Sequence, residues 1–117
     1  MLKRFLLSSL SLMLGIFLFG AKLTIETDVY LGSVAIGNGD ELEQTGDNLY
    51  IAGDFTNQGI FTPNTDTSVI LNGTSQNLNG SFDFYNLTKE VTAADVLTFG
   101  AGNTFNTGVY SFFLDGE

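Results

Sequence analysis

Beyond residue 21, the apolar residues of this chain come in short runs of about 4 to 7, each ended by Gly, Asn or Asp. Runs of that length with those boundaries suit β-strands, and no stretch reads as a helix. Strands are expected at Lys22–Tyr30, Leu49–Phe55, Gly59–Thr62, Ser68–Leu71, Phe82–Thr88, Val96–Phe99 and Val109–Leu114. The breaks carry turn chemistry: Asn72-Gly73, Asn79-Gly80 and Gly102-Asn103 tolerate positive φ, and Pro63 fixes φ while removing a ladder donor. Leu49, Ile51 and Phe55 share one strand face, and Phe82 and Phe84 share another. The adjacent pair Phe84-Tyr85 breaks that alternation, which requires a corner between two short strands or a Tyr85 on the outer surface.

Ahead of the strands, Met1–Arg4 precede an uncharged stretch from Phe5 to Ala21, followed by Lys22. A basic start, an apolar middle and a small-residue exit at Gly20-Ala21 make an export leader. Residues 1–21 are therefore expected to be a hydrophobic signal helix and 22–117 the folded domain. The bulky Phe19, two residues before Ala21, fits a cleavage site poorly, so a retained anchor is the competing reading; the stretch falls just short of the roughly 20 residues of a spanning helix. Both readings put the domain outside the cytoplasm, secreted or at the cell surface.

The whole chain carries a formal charge of −9. Without Lys3 and Arg4, two basic residues, Lys22 and Lys89, face 13 acidic ones, a formal charge of −11. Such a surface repels phosphate backbones and anionic lipid, which argues against nucleic-acid partners and confines membrane contact to the leader. Cysteine and histidine are absent, and arginine occurs only in the leader. That removes disulfides, Ser-His-Asp and Cys-His machinery, histidine-ligated zinc and any arginine clamp. No catalytic, cofactor-binding or metal-binding residue is assigned, and no cofactor is expected.

The segment Phe55-Thr-Asn-Gln-Gly-Ile-Phe-Thr62 aligns with Phe105-Asn-Thr-Gly-Val-Tyr-Ser111 by deletion of one residue. Repetition of a short strand-turn unit is what a stacked coil of parallel strands needs, since each coil buries its apolar side chains against its neighbours. The stretch Phe55–Thr88 reads F-T-N-x-G-x-F-T-P, then V-x-x-N-G-T-x-Q, then F-Y-N-L-T. It resembles the repeats of large bacterial adhesin-like β-solenoid surface proteins, of the filamentous-haemagglutinin or autotransporter-passenger type. Phe55, Gly59, Phe61, Pro63, Asn72, Gly73, Thr74, Gln76 and Phe84–Thr88 carry the likeness, which extends more loosely from Asp47 to about Leu114. Lys89-Glu90 departs from it, where a β-branched residue is usual, and puts the strand after Thr88 in question. The resemblance implies a short, right-handed parallel β-solenoid with no transferable catalytic residues. An antiparallel β-sandwich is the alternative fold class for such short strands. The apolar strand at Phe112–Leu114, close to the last residue, predicts a fragment of a longer repeat protein.

Asp40, Glu41, Glu43 and Asp47 form the densest acidic cluster, after Gly37-Asn38-Gly39. It is expected to be a solvated loop joining two strands, with calcium binding the sharper alternative. Lys22 and Lys89 are the only candidate bases for lyase chemistry, and Lys22 sits at the leader junction. Most aromatic side chains are expected in the core; Tyr85 and Tyr110 are the candidate ligand-facing residues, since a phenol can keep its tip in water. Asn72, Asn79 and Asn86 head glycosylation sequons, which Asn-rich turns produce without any modification. The expected function is a non-enzymatic, exported, adhesive or structural module meeting a surface polysaccharide or matrix protein. The alternative is a carbohydrate-binding or polysaccharide-active domain using Tyr85, Tyr110, Asp83 and Asp95.

Overall fold

A strand of three to five residues is too short to hold a sheet alone, but it is stable when stacked in register on similar strands one coil above and below. A computed structural model, describing residues 3–7, 16–17, 21–91, 95–107 and 112–116, with side chains over 21–90 and 95–107, shows this arrangement. The chain winds into a parallel β-solenoid of about four turns, with no helix among the described residues.

Two strands, β1 (Lys3–Leu7) and β2 (Ile16–Phe17), come first. The first full coil is β3 (Ala21–Ile25), β4 (Val29–Leu31) and β5 (Val34–Ile36); the second is β6 (Glu41–Gln44), β7 (Asn48–Ile51) and β8 (Phe55–Asn57). The third is β9 (Ile60–Thr62), β10 (Ser68–Leu71) and β11 (Gln76–Gly80), and the fourth is β12 (Phe82–Asp83), β13 (Asn86–Val91) and β14 (Leu97–Phe99). Then follow β15 (Phe105–Asn106) and β16 (Phe112–Gly116). Three sheets make three sides: β1-β3-β6-β9, β4-β7-β10-β13-β16 and β2-β5-β8-β11-β14, with the pair β12-β15 beyond β9. All pairings among the described strands are parallel, so the antiparallel sandwich is set aside.

The pleat sends alternate residues inward, and parallel register turns them into columns. On the second side, Val29, Leu49, Val69 and Leu87 form one buried column, and Leu31, Ile51 and Leu71 form the next. Phenylalanine fills the interior. Phe55 meets Phe82 at 4.6 Å between ring centres and Phe61 edge-on at 5.5 Å, while Phe82 stacks on Phe84 at 5.1 Å. Each such side chain, fully buried, stabilises the coil by roughly 2–3 kcal/mol.

The corners are held by side chains that reach across to the neighbouring coil. Asn48 N–H donates to Asp28 Oδ1 at 2.8 Å, Asn77 N–H to Asp54 Oδ1 at 2.8 Å, and Asp54 N–H to Ser33 Oγ at 3.2 Å. Gln76, buried, donates from Nε2 to the carbonyls of Ile51 (2.9 Å) and Gly53 (2.6 Å), and its Oε1 accepts from Gly73 N–H at 3.0 Å. One coil on, Lys89 takes the place in register with Leu71. Its stem continues the aliphatic column while its ammonium donates to the carbonyls of Leu71, Gly73 and Glu90 and pairs with Asp95 Oδ2 at 2.6 Å. The strand after Thr88 therefore continues through Lys89-Glu90, because the charge is neutralised at the corner rather than buried alone.

Several expected strands divide. Lys22–Tyr30 breaks at residues 26–28 into β3 and β4, and Leu49–Phe55 breaks at 52–54 into β7 and β8. The slip at Phe84-Tyr85 is the expected corner, between β12 and β13, with Phe84 buried and Tyr85 half-buried. The strands β5, β6, β11 and β15 fall outside the expected ranges. Glu41–Gln44, far from being a loop, is a strand with Leu42 inside and its carboxylates outside. The aligned segments at Phe55 and Phe105 occupy different columns: Phe55 lies between Val34 and Leu78, whereas Phe105 pairs with Phe82. The expected signal helix does not appear where its range is described: Lys3–Leu7, Ile16–Phe17 and Ala21 are strand, and residues 1–2, 8–15 and 18–20 lie outside the described residues.

Candidate binding face

Residues that point outward on the second side also fall into register. Tyr30 on β4, Tyr50 on β7, Ile70 on β10 and Thr88 on β13 make one outward column, with strands about 4.8 Å apart. Tyr30 and Tyr50 stack face to face, ring centres 4.3 Å apart and planes within 9°. Tyr30 is 42% exposed and Tyr50, Ile70 and Thr88 are half-buried, so the column is a flat aromatic and aliphatic ridge that water reaches. Partial burial, the negative charge of Asp28 and the neighbouring Tyr30 hold the Tyr50 phenol above the usual tyrosine range.

This ridge was missed in the sequence, although a signal existed. Asp28-Val-Tyr-Leu-Gly32, Asn48-Leu-Tyr-Ile-Ala52 and Ser68-Val-Ile-Leu-Asn72 repeat polar, apolar, outward, apolar at the spacing of one coil. Tyr85, the sequence candidate, sits at the β12–β13 corner with its hydroxyl 3.3 Å from Asp66 Oδ1. Tyr110 lies outside the described residues. Asp83 accepts from Asn106 Nδ2 at 2.7 Å. Asp95 is occupied by Lys89 and by the N–H groups of Ser75 (2.6 Å) and Val96 (2.7 Å). Lys89, ahead of all other causes, holds the Asp95 carboxyl below its ordinary range. Tyr85 and Asp95 lie beyond opposite ends of β13, so they are not brought together.

The acidic cluster has its own account. The Lys22 ammonium lies 3.2 Å from Glu41 Oε1 and 3.1 Å from Glu43 Oε1, and these hydrogen bonds raise its pKa. Thr24 Oγ1 donates to Glu43 Oε2 at 3.3 Å and Thr62 Oγ1 to Glu41 Oε1 at 3.2 Å. Asp40, in contrast, is buried, and Asp47 sits at a turn with φ of 37°. Among the described residues, no three or more acidic side chains gather to hold a metal ion. Both lysines that lyase chemistry would need are engaged in ion pairs.

The fold defines the class as parallel β-solenoid. Compared with protein-family models, curated proteins and solved structures, the chain matches none of them.

Proposed function

We propose that this chain is a non-enzymatic, exported surface module whose coils hold an adhesive face rigidly in place. The observation that carries the proposal is the Tyr30–Tyr50–Ile70–Thr88 column, an outward ridge built by register on a scaffold whose corners are hydrogen-bonded from coil to coil. A ridge of this kind offers area without a cleft, which suits a polymer or a matrix protein better than a small substrate. Export rests on the leader at residues 1–21, a secreted or cell-surface location follows from it, and the likeness to adhesin repeats points the same way. No helix among the described residues is long and apolar enough to cross a membrane.

The stacked tyrosines favour carbohydrate as a second reading, because a sugar ring lays its C–H face on an aromatic plane. Immobilised exported protein, titrated with a panel of polysaccharides and matrix proteins, tests both. Retention of at least one panel member, lost in a Tyr30→Ala/Tyr50→Ala variant that keeps its strand spectrum, is the expected result. Equal retention by parent and variant would remove the face from consideration.

A further inference from the structure

A buried carboxylate between the first and second coils, Asp40, meets the backbone nitrogen of Ala21 at the small-residue exit of the leader. Asp40 is 2% exposed, and its Oδ1 accepts a hydrogen bond from Ala21 N–H at 2.9 Å, itself buried. The contact lies on the β6 side of β3, since Lys22 pairs in register with Glu41 and Ala21 therefore lies beside Asp40. A neutral amide compensates a buried carboxylate poorly; an ammonium in the same place makes a charge-assisted bond. The sequence puts the small-residue exit of the leader at Gly20-Ala21. We infer that export cuts the Gly20–Ala21 bond and that the new α-ammonium of Ala21 pairs with Asp40, locking the first coil.

This rests on the export reading, and it moves the leader boundary from 1–21 to 1–20. Cleavage is hydrolysis: water adds across the amide, the carboxylate stays on Gly20, and Ala21 keeps a nitrogen that protonates in place. The charged groups around Asp40 leave the new terminus as its natural partner. On β3 and β6, Lys22 bridges Glu41 and Glu43 on the outer face, which leaves one net negative charge there and no spare cation for Asp40. β9 contributes Ile60, Phe61 and Thr62, none charged. On β1, Lys3 is in register with Ala21 and Arg4 with Lys22, and both depart with the leader.

A free α-ammonium in an unfolded chain titrates at about 7.7–8.0, and a carboxylate partner raises that value in the folded state. The stabilisation is therefore complete below about pH 8 and disappears as pH rises through the raised folded value. The experiment expresses the full chain in an exporting bacterial host and weighs the product by mass spectrometry. Urea unfolding is then followed between about pH 6 and 10 for the parent and for Asp40→Asn, which keeps the shape and an acceptor oxygen. The expected product begins at Ala21, its urea midpoint falls above about pH 8, and Asp40→Asn has a lower midpoint without that fall. Lys22 and Tyr50 titrate in both proteins and cancel in the comparison. A product that keeps residues 1–20 would sink the export reading and the inference with it. A terminus at Lys22 or beyond, or superimposable parent and Asp40→Asn profiles, would overturn the Asp40 pairing while leaving export intact.

Discussion

Replacing Gln76 with leucine keeps the volume of a buried side chain and deletes all three of its hydrogen bonds. The carbonyls of Ile51 and Gly53 and the N–H of Gly73 then lose their side-chain partner. The Ile51 carbonyl keeps the N–H of Asn72 at 3.0 Å, so two groups are orphaned; at about 1–2 kcal/mol each the loss is roughly 2–4 kcal/mol, and leucine burial offsets about 1 of it. The net cost of about 1–3 kcal/mol is a sizeable part of the 5–15 kcal/mol typical of a domain. Gln44 is the internal control. Its Nε2 donates to the carbonyls of Asp47 and Ser68, but its buried Oε1 has no hydrogen-bond partner among the described residues. Gln44→Leu removes that uncompensated oxygen along with the two bonds, so its net cost is within about 1 kcal/mol. Urea titrations followed by circular dichroism read the contrast directly: the Gln76→Leu midpoint should fall by about 0.5–1.5 M and the Gln44→Leu midpoint by less. Equal shifts, or a Gln76→Leu protein as stable as the parent, would refute the claim that corner carbonyls depend on these amides.

Phe55→Ala empties the centre of the phenylalanine cluster and should cost about 3–5 kcal/mol, measured by the same titration. Gly73→Ala would drive a methyl group into the carbonyl oxygen of Ala52 on the coil beneath; chemical denaturation should show a loss of about 1–3 kcal/mol or more. Because Lys89 depresses the Asp95 carboxyl, Asp95 contributes stability that is present above its ordinary value of 3.8 and lost as pH falls through the depressed one. Acid titration of Asp95→Asn should lack that component, and an unaltered acid profile would count against the pairing. The Tyr50 phenolate should appear above the normal tyrosine range by ultraviolet absorbance, and Tyr30→Ala should bring it down.

The architecture was legible because apolar residues inside Gly- and Asn-bounded runs already state the period-2 pleat, and Ser68–Leu71 was placed to the residue. Strands whose inward residues are few or polar were not legible. In β6, only Leu42 is apolar, and in β11 the inward positions are Gln76 and Leu78, so neither reads as an apolar run. Their strand conformation comes from pairing with β3, β9 and β8, which a local window cannot see. Lys89 misled for a related reason: its carboxylate partner comes from the far side of a corner, at Asp95. The Tyr30–Tyr50 ridge was hidden because its logic is the coil-to-coil offset of 20 residues, visible only once the coil length is known.

The corner hydrogen bonds have a mechanical meaning. Those from Asn48 to Asp28, Asn77 to Asp54 and Gln76 to Ile51 each tie a coil to the adjacent one. A tether pulling on one end therefore loads a single layer at a time, and the ladder should come apart as a row of separate fasteners. Each released layer of about twenty residues frees roughly 70 Å of extended polypeptide, so a cell anchored through such a chain would be held by a shock absorber that yields in steps.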